Sequence, residues 1–591
     1  MSVLLKALGT LVLLYASPFL YRLIRNIYHA RRIGLPVFVV PFDQNHFIWM
    51  VSSVPLRPFL KRHLPTSIWN RLNLTIYGWE FFEKRRPFLQ YAAPQGNDKS
   101  FMLAGCGRLE LWTCDPEVAS DVLRRPRDFQ QDDLTALFMG IFGHNVLTAN
   151  GDSWAKQRKI VASVINERIS KAVFDESVRQ TRGMISEIFA ARTQDRATSA
   201  SSNKVFDMLK KVTIHVLSGA GLGASVPWRN EDGERPPPGF RMTYIESTKA
   251  VMEAVTGPII LPPALLTHWP SWMPGGPKMK QLGVAKLEFP QHTSALLDEE
   301  RRRSTEKSAS RSNIMSQMIR ASEQDPNTGK GLSDEEMMGN LFVFTAAGFE
   351  TTANTLSFAL MLLARYPMWQ DWLLEEIDGI QPDDGEQDFD YTSVYPKATR
   401  IMAFLFETMR LYTPVVHLVK QTHEPQTIKT SRGTVCLPPG TVVYLNCICL
   451  HLESEVWRDI NHGSDPEFVK PASPKYSPDE LVFRPSRWLN PAGSQQPLFQ
   501  PPKGSFVPWS MGPRVCPGQK MAQVEFTAVI LTLLHEHRVD PVPVGEESRE
   551  QMDERLEAKL NDNMSVLTLQ MNGVYDVGEK GGVPIRLSRR V

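Results

Sequence analysis

The chain has 591 residues, of which 42% are hydrophobic and 22% charged, and its formal net charge is +2. This is the composition of a globular protein with a large core, and so small a net charge argues against nucleic acid as a partner. Six cysteines without regular spacing argue against a disulfide framework and indicate a reducing, cytosol-facing location.

The N-terminal segment predicts a membrane anchor, because residues 3–24 read VLLKALGTLVLLYASPFLYRLI, with charges only at Lys6 and Arg22 near its ends. A bilayer-spanning helix needs about 20 apolar residues, and terminal lysine or arginine can reach the interface. Three further basic residues follow on the C-terminal side: Arg25, Arg31 and Arg32. The positive-inside rule then keeps the rest of the chain in the cytosol. The alternatives are a buried core helix and a cleavable signal peptide, for which no clear cleavage site is present.

The longest helical pattern begins at Ser333, a predicted N-cap that forms a capping box with Glu336. Apolar residues continue from there to Ala364, over about 30 residues or roughly 45 Å. A helix this long and apolar must run through the core. Strand-like stretches are few: Thr441–Leu445, Ser565–Gln570 and Pro584–Leu587. The predicted fold class is therefore mainly α with small β-sheets.

The middle of this helix carries a group of polar residues. Gly348 lies three residues before Thr351 and four before Thr352, so one helix face offers a gap beside hydroxyl groups. Glu350 is a carboxylate within an apolar helix, which is costly unless the group is paired or used. The alternative for the threonines is structural, with each hydroxyl bonded to the carbonyl four residues earlier.

A second polar pair stands in the apolar pattern IMAFLFETMRLY, where Glu407 and Arg410 are three residues apart and share a helix face. A carboxylate and a guanidinium can satisfy each other there when both are buried. A solvated surface pair is the alternative.

Cys516 lies in a loop that favours a reactive thiol. In this loop, residues 506–518, glycines and prolines including Gly512 and Gly518 permit tight turns around the cysteine, and an amphipathic helix pattern follows directly. Backbone N–H groups at a helix N-terminus stabilise a thiolate, so the sequence predicts a lowered pKa for Cys516. A thiolate held in this way is suited to ligate haem iron, and Arg514 is suited to pair with an anionic group of the same cofactor. The alternative is a buried structural cysteine.

The segment from Trp509 to Gly518, WSMGPRVCPG, resembles the haem-binding loop of the cytochrome P450 family, whose pattern is Phe-x-x-Gly-x-Arg-x-Cys-x-Gly. It departs from the pattern at Trp509, a large aromatic residue in place of the leading phenylalanine. Three further family signatures occur in the expected order: AGFETT at 347–352, ETMR at 407–410 and FRPSRW at 483–488. The resemblance covers nearly the whole chain after the anchor.

The resemblance implies that Cys516 is the axial ligand of the iron of haem b. The other implied cofactor-binding residues are Trp154, Arg158, Gly348, Lys420, Trp509, Gly512, Arg514 and Gly518. Among them, Trp154 and Arg158 match a weaker Trp-x-x-x-Arg pattern for a haem propionate. Lys420 stands where the family often has an arginine, and lysine binds a propionate as a point charge rather than as a fork.

The resemblance also implies a catalytic pair and a structural triad. Thr351 and Glu350 form the catalytic pair, which relays the protons needed to split dioxygen. The triad lies behind the haem and stabilises the fold and the cofactor pocket: Glu407, Arg410 and Arg487.

The implied reaction inserts one oxygen atom of dioxygen into a lipophilic substrate and reduces the other to water. Electrons come from NADPH through a separate NADPH–cytochrome P450 reductase, with cytochrome b5 as a further partner, because no dinucleotide-binding GxGxxG follows a strand. Residues 1–33 are then a single-pass anchor with its basic flank in the endoplasmic reticulum membrane, and residues 34–591 are the cytosolic haem domain. The sequence of the cysteine loop resembles that of filamentous-fungal members of the family, many of which modify secondary metabolites.

The same motifs are also compatible with three other functions: a haem-thiolate isomerase or dehydratase, a lipid or xenobiotic hydroxylase, and a non-catalytic haem binder. The intact pair of Glu350 and Thr351 argues against the first and the last. A lipophilic substrate is favoured because the segments expected to line its pocket are largely apolar: Asp132–Val146, Met242–Leu266, Phe342–Thr351 and Val415–Lys420. His417 is a further candidate for the pocket wall, by position alone.

Overall fold

A computed structural model describes residues 2–590 except 42, 45, 191–197, 225, 230–234, 255–256, 274, 306–312, 324–330, 381–388, 432, 459–464, 467–477, 492, 566 and 577–581. Its α-helices are Ser2–Ile33 (α1), Phe47–His63 (α2), Thr66–Leu72 (α3), Trp79–Glu83 (α4), Pro116–Arg124 (α5), Asp133–Met139 (α6), Gly151–Val164 (α7), Glu167–Ala190 (α8), Val205–Val216 (α9), Tyr244–Glu253 (α10), Pro263–Thr267 (α11), Gly276–Thr305 (α12), Ile314–Glu323 (α13), Asp334–Arg365 (α14), Pro367–Ile377 (α15), Tyr391–Val394 (α16), Thr399–Leu411 (α17), Cys447–Leu450 (α18), Ser454–Trp457 (α19), Gln519–Glu536 (α20) and Arg549–Asn561 (α21). The β-strands are Val37–Val39 (β1), Ser100–Ala104 (β2), Leu109–Thr113 (β3), Phe129–Gln130 (β4), Ser199–Ser202 (β5), His417–Thr422 (β6), Gln426–Thr430 (β7), Gly433–Leu437 (β8), Thr441–Asn446 (β9), His537–Pro541 (β10), Asn563–Ser565 (β11), Leu569–Met571 (β12) and Ile585–Arg589 (β13). The predicted class, mainly α with small sheets, is confirmed.

The long core helix is α14, and the predicted capping box at its start is present. The Ser333 hydroxyl accepts from the backbone N–H of Glu336 at 3.1 Å, and the Glu336 carboxylate accepts from the backbone N–H of Ser333 at 2.9 Å. Most side chains from Thr352 to Ala364 are fully enclosed. The second half of α14 is therefore an axis of the core, against which α9, α17 and α20 pack.

The largest sheet has the strand order β1-β2-β3-β9-β6-β4, with β1–β2 and β3–β9 parallel and the other pairs antiparallel. The predicted strands at 441–445 and 584–587 correspond to β9 and β13. The single strand predicted over Ser565–Gln570 is wrong, because β11 and β12 form an antiparallel hairpin in which Ser565 faces Leu569. Thr568, which directly precedes β12, is bonded to α14, since the Asn354 side-chain amide donates to its hydroxyl at 2.6 Å.

The segment predicted as a membrane anchor lies within α1. The C-terminal end of this helix packs on β2, where Ala30 and Ile33 are buried and the Asn26 amide donates to the carbonyl of Gly105 at 2.9 Å. Farther toward the N-terminus, several large side chains are more than half exposed: Leu20, Tyr21, Ile24 and Tyr28. In the part of the chain that the structure describes, no helix is both long enough and apolar enough to cross a membrane.

A buried network fixes α7 against α14. The Asn340 amide donates to the Gln157 side chain at 2.7 Å and accepts from the backbone N–H of Val146 at 3.0 Å. Lys156 pairs with the capping residue Glu336 at 2.6 Å. Because each buried polar group has a partner, these bonds hold the two helices in one relative position.

Candidate active site

A cavity of about 750 Å³ lies between α14, α7, β6 and the loop before α20. All four segments that the sequence predicted to line the pocket contribute side chains to its wall, for example Phe138, Glu253, Val343 and Val415. The wall is largely apolar, as expected for a pocket that accepts a lipophilic ligand.

The loop before α20 presents the Cys516 side chain to this cavity. The backbone N–H of Cys516 donates to the carbonyl of Trp509 at 2.8 Å, which closes the loop on itself. Gly512 has φ +70°, and a Cβ there would lie 2.6 Å from the carbonyl oxygen of Leu123. A larger residue at position 512 would therefore suffer both backbone strain and a clash with α5.

Gly518, at the start of α20, does not need the conformational freedom of glycine. Its φ is −85°, which any residue adopts, so of these two glycines Gly512 is the one whose backbone conformation favours glycine. A Cβ at this position would lie 3.9 Å from the Cys516 sulfur, an ordinary contact distance. Glycine therefore leaves open space beside the sulfur on the cavity side.

The pKa of the Cys516 thiol departs from the predicted direction. Burial raises it, and this outweighs the lowering by the backbone N–H groups of Gly518 and Gln519 and by the charge of Arg158. The predicted lowering is therefore wrong for the protein groups alone: the Cys516 side chain is exposed to the cavity, but so much protein surrounds the sulfur that a charge on it is poorly solvated. A metal cation bound to the sulfur would supply the missing stabilisation, since a coordinating thiol is deprotonated outright.

Three cationic side chains surround the same cavity, namely Arg158, Lys420 and Arg514. The Arg514 guanidinium donates to the carbonyl of Ala149 at 2.8 Å and lies 4.6 Å from the ring centre of Trp154, which also lines the cavity. Its Nε is buried, with no hydrogen-bond partner among the described residues. Burial lowers the pKa of Arg514 to about 10.

Lys420 reaches the cavity from β6, and its ammonium donates to the Gln131 side chain at 3.0 Å. Burial and the charge of Arg514 lower its pKa to about 7, although Asp132 opposes this. Within the described residues, no carboxylate forms a salt bridge with Arg158, Lys420 or Arg514. Cations left without counter-ions beside an apolar cavity and a thiol fit the predicted haem, whose two propionates would supply the negative charge.

The middle of α14 faces the cavity with Gly348 and Thr351. The Thr351 hydroxyl donates to the carbonyl of Ala347 at 2.7 Å, so the structural alternative for this threonine does occur. Donating its proton leaves the oxygen lone pairs of Thr351 as acceptors on the cavity side. At Gly348, a Cβ would meet only Leu217, at 3.6 Å, so the missing side chain widens the cavity.

Glu350 is adjacent to Thr351 in sequence but does not line the cavity. Burial raises its pKa to about 7, with Lys210 lowering it and Glu253 raising it. Its Oε2 is enclosed and makes no hydrogen bond within the described part of the chain. The Lys210 ammonium lies 3.7 Å from the ring centre of Tyr575. Glu350 is therefore an uncommitted carboxyl between the cavity wall and a cationic group on α9.

The Glu407 side chain is the centre of a buried ion network. Its carboxylate accepts two bonds from Arg410 at 2.8 Å, one from Arg487 Nε at 3.0 Å and one from Trp488 Nε1 at 3.0 Å. Glu407, Arg410 and Arg487 are all almost fully enclosed, which excludes the solvated surface pair. Burial would raise the pKa of Glu407, but the two arginines lower it to about 2.

The sequence reasoning missed several groups at the cavity. Glu525, nine positions after Cys516 on α20, lines the cavity, and burial raises its pKa to about 8. The sequence did contain a signal for Glu525: like Glu350, it is an acidic residue flanked by apolar residues in a helical pattern, here Val524 and Phe526. Behind His417, which does line the cavity, lies Glu80, and no local pattern connects these two residues.

Comparison with known proteins gives one consistent result. A family model described as Cytochrome P450 matches residues 95–461 and 472–563. The chain is 42% identical to the phomenoic acid biosynthesis cluster cytochrome P450 monooxygenase of Leptosphaeria maculans, over 98% of both chains. It is 24% identical to the cytochrome P450 monooxygenase ORF6 of Penicillium roqueforti, over 90% of both. The crystal structure of the cytochrome P450DA heme domain superposes with a TM-score of 0.62 at 17% identity, covering 94% of this chain and 98% of that one.

Proposed function

The chain belongs to the cytochrome P450 family, and from this premise we propose that it is a membrane-anchored haem-thiolate monooxygenase that oxygenates an apolar substrate. The observation that carries the proposal is the grouping of one cysteine with three cationic side chains around one apolar cavity, where none of the three forms a salt bridge with a carboxylate of the described residues. A surface thiol or a structural cysteine would need neither the cations nor the cavity.

The proposed cofactor is haem b, which when bound supplies the activation of dioxygen. The Cys516 sulfur would ligate its iron, with Trp509, Gly512 and Gly518 shaping the loop around that sulfur. Arg158, Lys420, Arg514 and Trp154 would hold the two propionates, and Gly348 would leave room for the cofactor beside α14. Lys420 binds as a point charge, so its contact is less directional than a forked arginine contact.

Glu350 and Thr351 move protons in the proposed mechanism. The pKa of Glu350 is raised to about 7, so its carboxyl can both hold and release a proton near neutral pH. The Thr351 hydroxyl, whose own proton is bonded to the carbonyl of Ala347, accepts a hydrogen bond from the cavity and would thereby position a proton-donating water beside the haem. The Lys210 charge lowers the pKa of Glu350 against the raising effect of burial, and so it favours release of the proton from this carboxyl.

We place α1 in the endoplasmic reticulum membrane as a single-pass anchor, with the body in the cytosol. The exposed side chains of Leu20, Tyr21 and Ile24 and the basic last turn with Arg31 and Arg32 support this arrangement. Electrons then come from NADPH–cytochrome P450 reductase, with cytochrome b5 as a second donor. The Leptosphaeria relative carries the name of a biosynthetic cluster, and we infer that this chain likewise acts in fungal secondary metabolism.

The proposal is tested on the purified full-length chain and on the intermediate that accumulates when its gene is deleted. The reduced, carbon monoxide-bound protein should show the red-shifted Soret band of a thiolate haem. Conversion of the accumulated intermediate should require a reductase, NADPH and dioxygen together. Conversion without NADPH and dioxygen would identify an isomerase or dehydratase instead, and a normal haem band without conversion of any accumulated compound would favour a non-catalytic haem binder.

A Glu350→Gln substitution should lower the rate of product formation by about 10² to 10⁴, the usual contribution of a positioned acid or base. The wild-type rate should fall as the pH rises through about 7, because Glu350 then loses the proton it donates. The glutamine side chain does not titrate, so the variant should lose this limb of the pH profile. Product formation and reductase-driven NADPH oxidation are measured across the pH range.

The role of Thr351 is tested with the substitution Thr351→Val, and Thr345→Val on the same helix is its matched control. Both hydroxyls donate to the carbonyl four residues earlier on α14, at 2.9 Å and 2.7 Å, but Thr345 does not line the cavity. Thr351→Val should consume NADPH while forming little product, and Thr345→Val should retain the wild-type ratio. Equal ratios in the two variants would remove Thr351 from the proton path.

A further inference from the structure

His417 and Glu80 form a buried pair at the cavity wall. The Nδ1 atom of His417, the first residue of β6, forms a hydrogen bond with Oε1 of Glu80 on α4. Glu80 is 0% exposed, and its Oε2 has no partner among the described residues. A carboxyl removed from water needs a hydrogen-bonding partner, so Glu80 holds Nδ1 of the histidine in place.

Three aromatic rings prevent the His417 ring from turning away. Tyr77, Trp112 and Tyr444 meet the imidazole edge-on, with ring centres 5.5, 5.7 and 5.1 Å away. His417 lines the cavity, whereas Glu80 does not. Nε2, the other ring nitrogen, makes no hydrogen bond within the part of the chain that the structure describes. The pair is therefore arranged with the carboxyl behind and one uncommitted nitrogen available on the cavity side.

The charges around the pair restrict what this nitrogen can bind. A second buried carboxyl, that of Glu110, interacts with Glu80 and accepts a bond from the Trp112 indole at 2.9 Å. Burial raises the pKa of Glu110 to about 8, so this place favours a carboxyl that keeps its proton. A ligand carboxylate here would be an unfavourable negative charge in a poorly solvated place. A hydroxyl group adds no charge, and it can donate to or accept from Nε2 whichever tautomer the histidine adopts.

We propose that His417, positioned by Glu80, is the polar anchor of the substrate cavity and that the substrate is an apolar molecule carrying a hydroxyl group that binds His417 Nε2. This inference rests on the proposed monooxygenase function and adds the substrate class to it. Glu80 is a positioning residue, since it acts only through the imidazole. The apolar remainder of the wall holds the hydrocarbon part of the substrate.

The test uses alkylimidazoles of increasing chain length that end in a methyl, a hydroxyl or a carboxyl group. Their imidazole binds haem iron and shifts the Soret band, so binding is measured without knowing the natural substrate. In the wild-type holoenzyme, at one chain length, the hydroxyl-tipped probe should bind about tenfold more tightly than the methyl-tipped one, as for one good hydrogen bond. The carboxyl-tipped probe should gain no such advantage.

Replacing both partners avoids leaving Glu80 buried without its histidine. The variant with Glu80→Met and His417→Phe together should bind hydroxyl-tipped and methyl-tipped probes equally. Glu80→Gln retains a group that can bond Nδ1 and should keep the hydroxyl preference. His292→Phe is the matched control, because this buried histidine bonds the carbonyl of Met242 at 3.0 Å and does not line the cavity.

The inference is overturned if imidazole binding is seen but no chain length favours the hydroxyl. It is also overturned if the carboxyl-tipped probe is preferred, or if the preference survives in the double variant. Absence of the thiolate-haem Soret band in the wild-type protein would be a different result, because it would refute the proposed function and this inference with it.

Discussion

The Cys516→Ala protein is expected to lack the red-shifted Soret band of the reduced carbon monoxide complex and to form product only at background level. Alanine has no atom that can ligate iron, and Cys516 is the cysteine that lines the cavity. The cations Arg158, Lys420 and Arg514 remain, so the variant can still retain some haem by its propionates. The measurement is therefore the position of the Soret band per bound haem, together with the haem content of the purified protein.

Two other cysteines provide controls for this result. Cys436 is exposed on β8, and Cys447 is fully buried in the core. The Cys436→Ala substitution should change neither the position of the Soret band nor the melting temperature. Cys447→Ala removes a buried sulfur, so it should lower the melting temperature while keeping the red-shifted band. If Cys516→Ala kept the band, or if Cys447→Ala lost it at equal haem content, Cys516 would not be the axial ligand.

The parts of the site that were predictable from the sequence are those with local signals. These signals are the capping box of Ser333 and Glu336, the three-residue spacing of Glu407 and Arg410, and the turn residues around Cys516. In each of them, the residues involved lie within a few positions of one another. Such patterns reflect backbone geometry that repeats in every helix or tight turn. These patterns therefore predict where α14, α17 and the cysteine loop lie in the sequence. They do not predict how these elements are arranged relative to one another.

What could not be predicted depends on contacts between distant residues. His417 and Glu80 are 337 positions apart, and their pairing follows from the way α4 packs beside β6. The direction of the pKa of Cys516 was wrong for the same reason, because burial is a property of the whole fold and outweighs the local N–H groups. The hairpin of β11 and β12 was mistaken for one strand. Thr568, next to β12, is bonded to Asn354 on α14, 214 positions away, and no local pattern predicts such a contact.

Glu407→Gln is expected to lower the free energy of unfolding by about 3 to 5 kcal/mol, the usual cost of removing one partner of a buried ion network. Glutamine has nearly the same size, but it presents an amide donor to the N–H donors of Arg410, Arg487 and Trp488. It also removes the carboxylate that pairs with Arg410, whereas Arg487 keeps its contact with the Asp479 carboxylate at 3.3 Å. Net stabilities of domains are about 5 to 15 kcal/mol, so this loss should sharply reduce the yield of holoenzyme. The loss of stability is measured as the shift of the denaturant midpoint, with unfolding followed by the Soret band.

The pH dependence separates this charge effect from a loss of packing. The pKa of Glu407 is about 2 in the folded chain and ordinarily near 4.5, so its charge contributes fully above pH 4.5 and the contribution disappears as the pH falls through about 2. The stability difference between wild type and Glu407→Gln should therefore be constant near neutral pH and shrink in acid. Glu299→Gln, in an exposed pair with Arg303, should change stability by less than about 0.5 kcal/mol. A Glu407→Gln midpoint as close to wild type as that of Glu299→Gln would mean that the buried arginines are stabilised without Glu407, by the backbone carbonyls of Glu480 and Val482 that Arg410 also contacts.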